Sequence, residues 1–119
     1  MSSSSGFEVV TAKQDERRKF ERISVPFEAG VTVLDTKGHY IATIRQLARG
    51  GVMLEPEMEF KAGKTYTIVI VDKSEDIRRE VEIIVRYADA RHVGCEFRDL
   101  SPDAAVEIGI LMGKYYSGR

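Results

Sequence analysis

Cysteine and histidine are scarce in this 119-residue sequence, with one of the first and two of the second. A lone Cys95 excludes an internal disulfide and suits a reducing compartment. No cysteine or histidine pair has the spacing of a metal-ligand set. His39 falls in a turn beside Asp35 and Lys37, and His92 follows Asp89, which is the pattern of solvated surface pairs. No serine occupies a nucleophile elbow, and the Walker and dinucleotide-binding glycine patterns are missing. No apolar run approaches the length needed to span a bilayer. The opening MSSSSGFEVV has neither the charged nor the apolar region of a secretory signal, so a cytoplasmic protein is expected. Charge of one sign is lacking too: 18 Lys and Arg stand against 19 Asp and Glu, with a pI near 6.1. That balance argues against broad binding to duplex DNA or an anionic membrane, where a basic domain is the usual footprint. These absences point to a binding module, not an enzyme, and to no cofactor.

What is present fits a single domain with a real core: 43% of residues are hydrophobic and 31% charged. Residues 1–14 read as a flexible tail and 15–116 as the domain. FEAGVTVLD (27–35) and YIATIRQL (40–47) are β-branched runs flanking the turn TKGH, where Gly38 takes a positive φ at little cost. GVMLE (51–55), TYTIVIVD (65–72), IRREVEIIVRYAD (77–89) and RHVGCEFRDL (91–100) supply four more strands. Alternation of Val93, Cys95 and Phe97 places the thiol inward as a small hydrophobe. The period then changes. Ser101 is a good N-cap, Pro102 suits the first helical position, and Asp103 complements the helix dipole. Ala105, Ile108, Met112 and Tyr115 fall on one helical face over 101–116. The expected fold class is mainly β: a six-stranded antiparallel barrel with a C-terminal α-helix. Gly109 and Gly113 share a helix face, which serves close packing on the barrel or, alternatively, a weak homodimer contact.

The candidate site begins in QDERRKFERISVP (14–26), where Arg17, Arg18, Lys19 and Arg22 gather around Phe20 with Asp15, Glu16 and Glu21 among them. Guanidinium is planar, permanently charged and carries paired N–H donors. It can hold a phosphate in bidentate fashion, bridge the O6/N7 edge of guanine, or stack on a purine. An exposed helical turn stitched by Asp15–Lys19 would explain the same residues without a ligand. The β-branched Ile23 and Val25 before Pro26 favour a chain that turns extended and meets the barrel rim.

RRKFER, followed after one hairpin by RQLARGGVMLE (45–55) and then by VGCEFRDLSPD (93–103), resembles the PilZ domain, a bacterial receptor for cyclic di-GMP. The resemblance covers roughly residues 15–116 and implies a six-stranded barrel with a C-terminal helix. It also implies an R-x-x-x-R arm that clamps guanine and phosphate, met here by Arg18 and Arg22. A preceding arginine, here Arg17, is associated in the family with binding a pair of ligand molecules. The second family motif, [D/N]-x-S-x-x-G, is altered: Gln46 stands at the Asp/Asn position, Ala48 at the Ser position, and Gly51 at the final glycine. Gln keeps a carbonyl acceptor on a longer side chain, whereas Ala48 cannot hydrogen-bond. Each neutral hydrogen bond lost costs about 0.5–1.5 kcal/mol, and the two changes together weaken binding by roughly one to three orders of magnitude. Arg49, inside the motif, and Arg45, beside it, could restore phosphate contacts or serve only solubility. The resemblance therefore implies cyclic di-GMP as ligand, bound by Arg17, Arg18, Arg22, Gln46, Ala48, Arg49 and Gly51, and a downstream protein as partner. The alternative is a PilZ-like adaptor that binds no nucleotide and acts through protein contacts.

Overall fold

The computed structural model describes residues 22–116; the expected tail, residues 1–14, lies outside them. The elements in chain order are β1 (Ile23–Ser24), β2 (Thr32–Leu34), β3 (Tyr40–Leu47), β4 (Gly51–Pro56), β5 (Thr65–Asp72), β6 (Ile77–Ala88), β7 (Val93–Arg98) and a helix, α1 (Pro102–Tyr115). All strand pairings are antiparallel. β3 pairs with β2 on one side and β4 on the other, so the ring β2–β3–β4–β7–β6–β5 closes on itself. The result is the expected six-stranded barrel with a C-terminal helix. Closure removes the open sheet edges that would otherwise invite pairing with other chains.

The first expected strand is shorter than its sequence pattern, and a physical reason is local. Pro26 brings no N–H to a ladder, and the chain after it makes a 3₁₀ turn over Phe27–Ala29 that ends at Gly30, with φ of 68°. Only Thr32–Leu34 then pairs. Ahead of the turn lies the two-residue β1, which continues along the same side of β3 through Ile23↔Leu47 and Ser24↔Gln46. The Val25 N–H donates to the Arg45 carbonyl at 2.9 Å and extends that pairing by one step.

Besides a register shift between Val33 and Leu34 in the β2–β3 pairing, two bulges bear on the site. One lies between Ile44 and Gln46 of β3, which is why Ile44 and Leu47, three residues apart, are both buried. The other lies between Val85 and Tyr87 of β6. Val81, Ile83 and Val85 are buried, but Tyr87, next in the alternation, is 45% exposed.

α1 starts as expected: the Ser101 hydroxyl accepts from the Ala104 N–H at 3.1 Å, and Pro102 is the first helical residue. Its buried residues are Ala104, Ile108 and Leu111, while Ala105 is exposed; the helix is rotated by about one residue from the face the pattern suggested. Full burial of Ile108 and Leu111 is worth about 1.5–3 kcal/mol each. Gly109 and Gly113 do not pack on the barrel. A methyl group at either would meet nothing within 4 Å, because that face, with Val106 and Ile110, is exposed. Polar contacts then fix the helix. Arg79 donates to both Glu107 carboxylate oxygens, at 2.7 and 3.3 Å. At the C-terminal end the buried Asp72 carboxylate accepts from the Tyr115 hydroxyl at 2.8 Å and the Lys114 ammonium at 3.3 Å.

Candidate functional site

Register places the site before any side chain is considered. Ser24, Gln46, Met53, Gly94 and Tyr87 are successive partners across β1, β3, β4, β7 and β6. The next rung, Leu47, Val52, Cys95 and Val85, is buried in the core. Adjacent rungs point to opposite faces, so the first rung lies on the outer surface of the barrel.

Over this outer rung sits a cavity of about 530 Å³. One wall is made by Arg22, Gln46, Ala48 and Gly51; Met53 and Gly94 lie between, and the opposite wall carries Arg86, Tyr87 and Glu96. β1 is what delivers Arg22. Because Ile23 pairs with Leu47, the residue before it falls beside Ala48 at the start of the β3–β4 turn. That turn is held by the Ala48 N–H donating to the Gly51 carbonyl and the Phe97 N–H donating to the Gly50 carbonyl, both at 2.9 Å. Gly51 is demanded by close approach: a Cβ there would lie 2.2 Å from the Cys95 carbonyl oxygen.

Of the residues expected from sequence, Arg22, Gln46, Ala48 and Gly51 line this one cavity. Arg49 is exposed on the turn and is not among the lining residues. Arg17 and Arg18 lie outside the described residues. Gln46 has a buried Oε1 with no hydrogen-bond partner among the described residues, a costly state of about 1–3 kcal/mol unless a donor arrives. Arg45 turns elsewhere. Its Nη1 donates to Glu55 Oε1 at 2.7 Å and its guanidinium lies 5.7 Å from the Phe27 ring centre.

The electrostatics support binding more than bond-making. Burial pushes the Cys95 thiol up to about 12, so it stays protonated and unreactive at neutral pH. The Asp35–His39 pair is exposed, and backbone N–H groups of His39 and Lys37 contribute to holding the Asp35 carboxyl below its usual range. Asp89 is lowered likewise, by the backbone N–H groups of Arg91 and His92, as a turn cap. Arg86 Nη2 donates to Glu96 Oε1 at 2.9 Å, which raises the guanidinium and lowers the carboxyl. No group of three or more metal-ligating side chains occurs among the described residues.

Sequence reasoning missed the wall formed by Arg86, Tyr87 and Glu96. Alternation through Val81, Ile83 and Val85 projects Tyr87 inward, and only the bulge turns it out. No residue in RYAD marks that bulge. A weak signal was the β7 glycine: Gly94 interrupts a strand interior, where a missing side chain often admits a neighbour's.

A small closed barrel with a C-terminal helix, an outward cavity holding guanidinium groups and a glycine turn has the architecture of the PilZ class. The chain matches the PilZ domain family over residues 16–112 and belongs to that family. Among solved structures it is similar to the PilZ domain of YcgR from Escherichia coli, determined with c-di-GMP. The TM-score is 0.63 at 16% identity, over 83% of this chain and 91% of that one. A comparison with curated proteins gives no match.

Proposed function

We propose that this protein is a receptor for cyclic di-GMP whose N-terminal arginines close over the outer cavity. The observation that carries this reading is the convergence of Arg22 and the Gln46–Gly51 turn on one cavity, from segments more than twenty residues apart. Arg22 and the preceding Arg17 and Arg18 supply planar donors for phosphate oxygens and the guanine O6/N7 edge. Gln46, whose Oε1 is buried without a partner among the described residues, can present that acceptor to guanine N–H groups by a side-chain rotation. Gly51 lets the turn pack against the Cys95 carbonyl and so fixes its shape, and Ala48 contributes only a methyl. Closure stabilises whichever arrangement of the arm binds ligand better, and the surface so formed engages a downstream protein.

Calorimetry tests the proposal. Cyclic di-GMP is expected to bind in the micromolar range or tighter, and Arg18→Ala or Arg22→Ala to abolish the heat. A wild-type protein silent at saturating ligand would falsify the receptor reading.

Ala48 favours a second reading, a PilZ-like adaptor acting without nucleotide, because the family's hydroxyl at that position is gone. The double replacement Gln46→Asp with Ala48→Ser separates the two. Binding gained by a previously silent protein assigns the native form to the adaptor; an affinity raised from an already measurable value supports the receptor.

A further inference from the structure

We infer that the outward face of α1 is a self-association surface, on which a second copy of this chain packs antiparallel with Val106 of each protomer seated against Gly113 of the other. The inference stands on the helix alone and is independent of the receptor reading.

Four residues define the face. Val106, Gly109, Ile110 and Gly113 follow the i, i+3, i+4, i+7 spacing that brings side chains to one side of a helix. Ala104, Ile108 and Leu111 take the opposite side and are buried on the barrel. α1 is thus apolar on two sides, and its own barrel covers one. Val106 is 63% exposed and Ile110 47%. With Tyr116 at the helix end they make three of the seven exposed large hydrophobic residues among those described, a concentration unlike apolar residues scattered singly over a surface. The glycines are as telling. Each weakens the helix relative to alanine, and neither offsets that by close packing within the protomer, where a Cβ at either position meets nothing within 4 Å.

The order of the four residues selects the occupant. Reversal about a point between Gly109 and Ile110 exchanges Val106 with Gly113, and Gly109 with Ile110. A two-fold axis at that point seats Val106 over the partner's Gly113 at both ends. It brings the two Gly109 backbones together on one side of the axis and the two Ile110 side chains on the other. A parallel pair sets valine against valine and glycine against glycine, which leaves a bump beside a void. Charge agrees with the antiparallel choice. It opposes the two helix dipoles and brings Asp103 in the first turn to the same side as the partner's Lys114 in the last, about 3 Å apart along the axis. Lys114 also holds Asp72, so this pair sets orientation more than strength. A surface complementary to itself about an axis is what an isologous dimer requires. One face of a 14-residue helix, roughly 21 Å long, falls short of the roughly 800 Å² per partner of a stable interface, so the dimer is weak.

Engineered cysteines test the register, because Cys95 is the sole native thiol and is buried. Under mild oxidation Ile110→Cys should form a disulfide-linked dimer, since its two copies lie beside the axis. Asp103→Cys should not. Antiparallel packing separates its two copies by roughly 20 Å along the helix, far beyond the span of about 7 Å that a disulfide tolerates. In sedimentation equilibrium the wild-type mass should rise towards twice the monomer value as concentration passes from about 0.01 to 1 mM. Gly113→Leu and Val106→Asp should keep the monomer mass while melting at nearly the wild-type temperature, because both positions face solvent in the protomer. Crosslinking of Asp103→Cys equal to that of Ile110→Cys means a parallel pair and overturns the register. A dimer untouched by both Gly113→Leu and Val106→Asp uses another surface and overturns the proposal. So does a wild type monomeric at about 1 mM whose Ile110→Cys variant stays uncrosslinked while its thiol reacts freely with a thiol reagent; the face then belongs to a different protein.

Discussion

At Gly51 a methyl group would meet the Cys95 carbonyl oxygen at 2.2 Å, a backbone atom with no rotamer to change. At Gly109 it would meet nothing within 4 Å. The same substitution therefore has opposite signs at the two sites. Gly51→Ala has to push β4 from β7 and is expected to lose about 1–3 kcal/mol in urea denaturation, the usual range for overpacking. Gly109→Ala removes only the excess backbone entropy of a helical glycine and should gain about 0.5–1 kcal/mol. A Gly51→Ala protein as stable as wild type would contradict the close approach of the turn to β7. Cys95 gives a third residue-level expectation. With its thiol buried and pushed up to about 12, it should resist a thiol reagent at neutral pH until the chain is unfolded.

Between elements, the C-terminal end of α1 is tied to the barrel through one buried carboxylate. Burial alone would raise Asp72, but hydrogen bonds from Ser74, Tyr115 and Lys114 outweigh it and hold the carboxyl below its usual value of 3.8. A carboxyl depressed in the folded state contributes stability that is fully present above the unfolded value. That contribution is lost as pH falls through the lower folded value. Asp72→Asn should thus cost about 1–3 kcal/mol at neutral pH, and its stability should fall less steeply than wild type in acid below about pH 4. Parallel acid profiles for the two proteins would remove Asp72 from the account. Asp72 also illustrates what a sequence discloses about elements. TYTIVIVD and IRREVEIIV announce β5 and β6 because β-branched residues fill long stretches between polar turns. Ser101-Pro102-Asp103 announces α1 because capping is local chemistry. β1 is two residues long and exists only because β3 offers it a partner, so no window of sequence contains it. The partners of Asp72 on α1 lie 42 and 43 residues away, and no spacing rule connects them. The candidate site divides along the same line. Gly51 and Gln46 were legible through a motif, Tyr87 and Arg86 were not, because a bulge reverses the alternation that would have located them.

Over the whole molecule the formal charge is −1, so the proposed affinity for phosphate cannot come from a general positive field. It has to come from the few guanidinium groups that the fold gathers at one cavity, Arg22 and Arg86 among the described residues. Such a protein should discriminate sharply between a small ligand that fits and a long polyanion that merely carries charge. Thermal unfolding puts this to a test. A ligand present at about 100 times its dissociation constant stabilises the folded state by about 2.7 kcal/mol. For a domain of this size that corresponds to a rise in melting temperature of roughly 10–20 °C. Cyclic di-GMP at that ratio should produce the rise in wild type, and duplex DNA of equal phosphate concentration should produce none. Arg22→Ala should melt at nearly the wild-type temperature without ligand, because Arg22 is exposed and has no part in the core, and should lose the ligand-dependent rise. A comparable rise with duplex DNA would mean that charge alone drives binding. The convergence of β1, the β3–β4 turn and the β6–β7 wall on one cavity would then have no selective consequence.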